Sequence, residues 1–251
     1  ADRPLPEITS EAQTWIREAE EELIEGHSGR AVSLYRRAID SDPDNPTLLM
    51  SYALICLQLD RAQETEKVTR RILDLEPGEM LKATACATLI EALRSEGRYR
   101  EGNRIGQRLL DEGTSNFSRT IAYYEMAYNM AEMEEDLDKA LEFAQRSLEL
   151  APEELRQFPL AALGWVHYKR KEFDQAIDFL DRSSRLESSV TTLTHLGMAL
   201  LASGAEEKAR QVLAEARNME GAETSVEQKM MECLKTSNRL LDRVQQGRPK
   251  K

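Results

Sequence analysis

Residues 26–43 read Gly-His-Ser-Gly-Arg-Ala-Val-Ser-Leu-Tyr-Arg-Arg-Ala-Ile-Asp-Ser-Asp-Pro. A turn glycine leads to a small residue, Ala31, which opens an amphipathic stretch that stops at Pro43. Proline has no amide to continue a helix and biases the residue before it away from the α region, so this ending is a helix stop. The same ending recurs at Leu73-Asp74-Leu75-Glu76-Pro77 and at Leu148-Glu149-Leu150-Ala151-Pro152. Aligning Ala31 with Thr65, Gly102, Ala140, Ala176 and Ala209 gives successive spacings of 34, 37, 38, 36 and 33, a repeat near 34. Five residues before each lies a turn position: Gly26, Asp60, Gly97, Glu135, Lys171 and Gly204. Three of these are glycine, which takes the left-handed conformation that commonly ends a helix.

Composition points the same way. Hydrophobic residues at 41% can supply a continuous core, while 31% charged residues solvate the surface. Strong helix formers dominate, and 12 Gly with 8 Pro are too few for a loop-rich β protein of 251 residues, so the class expected is all-α. A net charge of −11 opposes the field that attracts a phosphate backbone, which argues against nucleic acid as a partner. The basic tail, Arg248 to Lys251, is too short to reverse that. No stretch has the roughly 20 apolar residues of a membrane span. Cys56, Cys86 and Cys233 are odd in number and sit in apolar stretches, which reads as buried thiols in a reducing compartment, the cytoplasm. The chain begins Ala1-Asp2; a leader removed upstream of Ala1 would instead indicate a periplasmic protein.

The recurring residues resemble the tetratricopeptide repeat, whose pattern is a helix with aromatic, Leu, Gly and Tyr slots, a turn, and a second helix with Ala, aromatic, Ala and Pro slots. The first unit fits through Trp15, Ala19, Gly26, Ala31, Tyr35, Ala38 and Pro43, the fifth through Leu160, Leu163, Gly164, Phe173 and Ala176, and the sixth through Leu193, Leu196, Gly197, Gly204 and Ala209. The second offers Thr65 and Thr69 in its second helix, and the third has Gly102 and Gly106 where Ala and an aromatic are expected. The resemblance implies a right-handed superhelical solenoid of about six helix-turn-helix units over residues 12–223: 12–45, 46–82, 83–116, 121–154, 157–189 and 190–223. Residues 1–11 read as an extended lead, 114–120 as a polar loop, and 247–251 as a basic tail. Residues 224–246 carry a stripe of Val226, Met230, Cys233, Leu234, Leu241 and Val244 and read as a C-terminal capping helix, the thirteenth. Ser10 with Gln13 reads as a capping box at the start of the first helix. A helical Gly102 is expected to gain about 1 kcal/mol of stability on replacement by Ala.

Nothing in the sequence assembles a catalytic site: there are three His, no phosphate-binding glycine loop, no His-Glu-x-x-His and no Cys-x-x-Cys. No cofactor or metal is expected. The resemblance implies instead a non-enzymatic scaffold whose first helices line a concave groove for a partner's peptide segment. On that resemblance Glu91, Glu125, Met126, Asn129, Phe158, Trp165, Tyr168, His195 and Met198 fall on the groove slots. The acidic members suit a basic or amphipathic protein segment, and large aromatics with Met are enriched at protein interfaces. Chaperone-binding members of the family use Lys, Asn and Arg in these slots to clamp a terminal carboxylate; Ile16, Glu20, Met50, Leu54, Ala87 and Trp165 stand there instead, and Asn129 is the single match, so such a peptide is not the expected ligand. The alternative is a structural subunit of an envelope, secretion or pilus-assembly complex, packing through its convex face or its ends.

Overall fold

In the computed structural model, which describes residues 6–219, the turn positions anticipated at Gly26, Asp60, Gly97, Lys171 and Gly204 each close a helical hairpin. The twelve helices are α1 (Ser10–Ile24), α2 (Ser28–Ser41), α3 (Pro46–Gln58), α4 (Ala62–Asp74), α5 (Glu79–Ser95), α6 (Tyr99–Glu112), α7 (Asn116–Met133), α8 (Leu137–Leu150), α9 (Gln157–Lys169), α10 (Phe173–Leu186), α11 (Val190–Ser203) and α12 (Glu206–Asn218). A short 3₁₀ turn, Glu153–Leu155, precedes α9, and there is no strand among the described residues. The capping helix expected at 224–246 and the basic tail lie outside them.

The turns share one geometry. Gly26, Asp60, Gly97, Lys171 and Gly204 all take positive φ. In each case the next amide donates to a carbonyl five residues back, as His27 to Glu22 (2.7 Å), Arg61 to Cys56 (2.8 Å) and Glu172 to His167 (2.9 Å). That is the Schellman closure, which satisfies the last carbonyls of the first helix and aims the chain back along it. The fourth turn differs from expectation: the left-handed residue is Glu134 (φ 53°), with the Glu135 amide donating to Met130. Asp136, also left-handed (φ 45°), is inserted and caps α8 through the Lys139 amide. Glu134 therefore precedes Ala140 by six residues, where every other turn has five.

The described residues group into two compact units, divided between Asn129 and Met130. In the first, α1 packs on α2, α2 on α3, α3 on α4, α4 on α5 and α5 on α6, and α3 also meets α5. In the second, α8 to α12 pack in the same succession, with α9 also meeting α11. Ala31, Thr65, Gly102, Ala140, Ala176 and Ala209 are all buried. A small side chain at the crossing lets two helix backbones approach, and large neighbours fill the space beside it. The reciprocal holds on the first helices: a Cβ at Gly164 would lie 2.5 Å from Leu180 Cγ. Ion pairs then tie successive hairpins together, Arg36 to Glu64 (2.6 Å), Arg98 to Glu66 (2.5 Å) and Arg70 to Glu101 (2.7 Å) in the first unit, and Arg170 to Asp138 in the second.

Three local expectations are corrected. Thr9, not Ser10, caps α1, its hydroxyl accepting from the Ala12 amide. Residues 116–120, read as loop, already belong to α7. Their start is capped from outside: the Glu79 carboxylate accepts from the Thr114 and Ser115 amides (2.9 and 2.8 Å) and from the Thr114, Ser115 and Ser118 hydroxyls. An acidic group arriving from another hairpin is invisible to a local reading. Gly102 is helical and buried, but an added Cβ would sit 2.7 Å from Asn129 Nδ2. That amide cannot simply swing away, because Asn129 accepts from Arg94 Nε (2.7 Å) and donates to the Tyr99 carbonyl (3.4 Å).

Gly102→Ala is accordingly expected to destabilise by about 1–2 kcal/mol, overpacking outweighing the gain in helix propensity; a raised denaturation midpoint would contradict the crowding. The Ser115 amide, with the Ser115 and Thr114 hydroxyls, holds the Glu79 carboxyl at about 2, below its ordinary 4.5. Because the folded value is depressed, its stabilisation is present above pH 4.5 and is lost as the pH falls toward about 2. Glu79→Gln should lower stability at neutral pH and remove that part of the acid-induced loss, which melts between pH 7 and pH 2 will read.

Candidate binding face

The left-handed turn residues give a register independent of the small residues. Six positions before each stand Glu20, Leu54, Glu91, Tyr128, Trp165 and Met198, one per first helix. Counting back from Ala140 instead reaches Asn129, because the inserted Asp136 displaces the count by one. That single residue takes Met126 and Asn129 off the expected groove slots, and both face inward. Met126 lies under Gly106, where a Cβ would come 2.7 Å from its Cγ. Asn129 is fully buried beside Gly102, and Glu125 is buried with it.

Glu125 and Asn129, one turn apart on α7, receive Arg94 from the last turn of α5. The guanidinium pairs with Glu125, donates to Asn129 and lies 4.6 Å from the centre of the Tyr128 ring. Burial pushes the Glu125 carboxyl up, Arg94 opposes this and Glu91 adds to it. Burial alone would lower Arg94, but Glu125 and Glu91 hold it above its usual value. A buried pair of this kind is costly to break because it strands the remaining charge. Glu125 is thereby committed to the interior, while Glu91, one turn before Arg94, stays exposed.

In the second unit Trp165 occupies the register position of an outward residue yet is 4% exposed. Its ring stacks on His195 at 3.7 Å and on Tyr168 at 4.9 Å, with Lys169 Nζ 5.1 Å away. His195 and Met198 are buried, Tyr168 is half-buried and Phe158 is exposed. Of the nine residues expected on the groove, Glu91 and Phe158 are open to solvent, Tyr168 is partly so, and Glu125, Met126, Asn129, Trp165, His195 and Met198 are inside. The sequence reading placed Glu20 and Leu54 on groove slots without counting them among the binding residues and left out Ile24; Glu20 is exposed, Leu54 is 46% exposed and Ile24 is 81% exposed. Their signal was present, in that no aromatic or long apolar neighbour stands at the matching positions of α1 and α5 to cover Leu54.

The three histidines lie apart. His167 is held by Glu172 (2.6 Å) and stacks on Phe179, His195 is in the aromatic stack, and His27 contacts Glu22 (2.8 Å) and Glu25 (3.4 Å) in an exposed turn. The Glu22, Glu25 and His27 donor atoms lie within 4.8 Å of one another, but all are solvated or already hydrogen-bonded. A cleft of ≈ 470 Å³ between α1 and α2 is walled by Glu18, Glu21, Glu22, Glu25, Arg30, Ser33 and Arg37, and the Ser33 hydroxyl donates to the Gly29 carbonyl (3.0 Å). No described helix is long and apolar enough to cross a membrane.

Residues 16–79, from α1 to the start of α5, match the tetratricopeptide repeat family model. No curated protein sequence matches the chain significantly. Among solved structures, PilW, a widely conserved type IV pilus biogenesis factor, is 16% identical with a TM-score of 0.56, over 87% of this chain and 99% of that one. The APC/C hetero-tetramer Cut9–Hcn1 aligns at 17% identity and a TM-score of 0.61 over 89% of this chain and 43% of that one. Human IFIT1, a dimer with m7Gppp-AAAA, aligns at 18% identity and a TM-score of 0.60 over 88% of this chain and 52% of that one. Such likeness is one of fold.

With its indole stacked and enclosed, Trp165→Ala is expected to cost about 3–5 kcal/mol of stability through the cavity it leaves. A denaturant melt superimposable on the parent would show the ring to be outside the core.

Proposed function

We propose that the chain, whose residues 16–79 match the tetratricopeptide repeat family model, is a non-enzymatic interaction scaffold holding a segment of a partner protein against the first helices of its hairpins. The observation that carries this reading is the contrast on those helices. Inward polar groups such as Arg94, Glu125 and Asn129 satisfy one another, whereas Glu20, Leu54, Glu91 and Phe158 are turned to solvent. Exposed apolar side chains rimmed by charge are what a protein segment can cover. A phosphate backbone would meet carboxylates there, so nucleic acid is outside the proposal. The alternative, a structural subunit packing through its convex face or ends, draws no support from PilW, whose likeness at 16% identity is one of fold.

Photo-crosslinking separates the two. A photoreactive residue replacing Leu54 or Phe158, on first helices, is expected to give discrete protein adducts in cells. One replacing the exposed Lys67 on the second helix α4 should give none. Adducts confined to position 67 would favour the structural-subunit reading, and nucleic-acid adducts at 54 or 158 would remove the scaffold reading altogether.

A further inference from the structure

Resting on the scaffold reading, we infer that the face of α1, α3 and α5 recognises an extended basic segment with an apolar centre: a cation over Glu20, an apolar side chain over Leu54 and a second cation over Glu91. The turn register puts these three at the same position of successive first helices, and all three are exposed. Beyond them the position is closed, since Tyr128 is buried. The face between is low. Ser51, Thr84 and Ala87 are half-buried and small, so Leu54 stands proud of its neighbours with Ile24 as a second exposed apolar group.

Spacing and charge define the occupant. Packed helices have axes about 8–10 Å apart; α3 and α5 pack side by side, and α1 is joined to α3 through α2, for which the same step is taken. An extended chain advances about 3.3 Å per residue, so one helix step takes about three residues. The segment therefore reads basic, two residues, apolar, two residues, basic. Arg94, three residues after Glu91 on α5, lies within its electrostatic reach, but its guanidinium directly contacts Glu125 and Asn129. Arg17, exposed one turn before Glu20 on α1, is a cation on the same face. Because Arg94 is held inward by Glu125 and Asn129 while Arg17 is exposed, the contact at Glu91 is the stronger of the two. The same carboxylates repel a phosphate or an anionic lipid surface.

The test uses the full chain and synthetic peptides of about eleven residues that place Lys, Leu and Lys at three-residue intervals in a Gly-Ser background, followed by fluorescence anisotropy. Binding is expected to weaken with salt, as exposed pairs do. Glu91→Gln should weaken it about fivefold and Glu20→Gln less, while Leu54→Ser, or Ser for the peptide Leu, should weaken it about tenfold. A peptide carrying Glu in place of Lys should not bind. Each variant alters an exposed position, and far-ultraviolet dichroism checks that it folds. Should folding of Leu54→Ser fail, a cycle pairing Glu91→Gln with Gln for the second peptide Lys supplies the same answer: coupling supports the assignment and additivity overturns it. Equal binding of the Glu and Lys peptides, indifference to Glu91→Gln, or no binding of the Lys peptide would overturn the inference. Protein adducts at Phe158 in the crosslinking experiment would then leave the scaffold reading standing. A crosslinked segment at Leu54 without basic residues would likewise refute this inference alone.

Discussion

The close approach of two helices at a small residue, fixed by a left-handed turn five positions earlier, is the constraint on which the rest of the structure depends. The turn supplies the direction and the small side chain the distance. Where either element changes, the neighbours change with it. Asp60 and Lys171 hold a positive φ without being glycine, at a cost of about 1 kcal/mol each, because the Schellman hydrogen bonds and the helices on either side leave the chain no other path. Gly102 and Gly106 carry the reduction in size further, and α7 responds by placing Asn129 and Met126 into the space they vacate.

That substitution shapes the candidate face. With Asn129 drawn inward, Arg94 follows it and takes Glu125 as counter-ion, so an ion pair that could have stood on the surface becomes part of the packing. In the low dielectric of such a site a charge is tolerated only with its partner. Among the residues that remain exposed on the first helices of the first unit are two carboxylates, Glu20 and Glu91, and the apolar Leu54 and Ile24. In the second unit the aromatic residues stack on one another, and the exposed remainder, Phe158, stands at the start of α9.

The periodicity, the all-helical class and the six crossings were legible in the sequence because each is a local chemical requirement: a proline stops a helix, a glycine turns it, and a small residue admits a second backbone. The outward residues were less legible. Trp165 and Asn129 share composition with binding residues, and nothing within their own helices says whether another helix covers them. The cap on α7 was likewise hidden, since Glu79 stands more than thirty residues before the amides it accepts from.

What the sequence by itself determined is therefore the kind and order of the elements, through the 34-residue spacing and the residues of the turns. What only the tertiary structure decided is which side of those elements faces solvent. One inserted residue, Asp136, rotates the register of the preceding helix by about 100° relative to the count from Ala140. Burial depends on contacts between hairpins, and those are set by the three-dimensional fit of side chains that lie far apart along the chain.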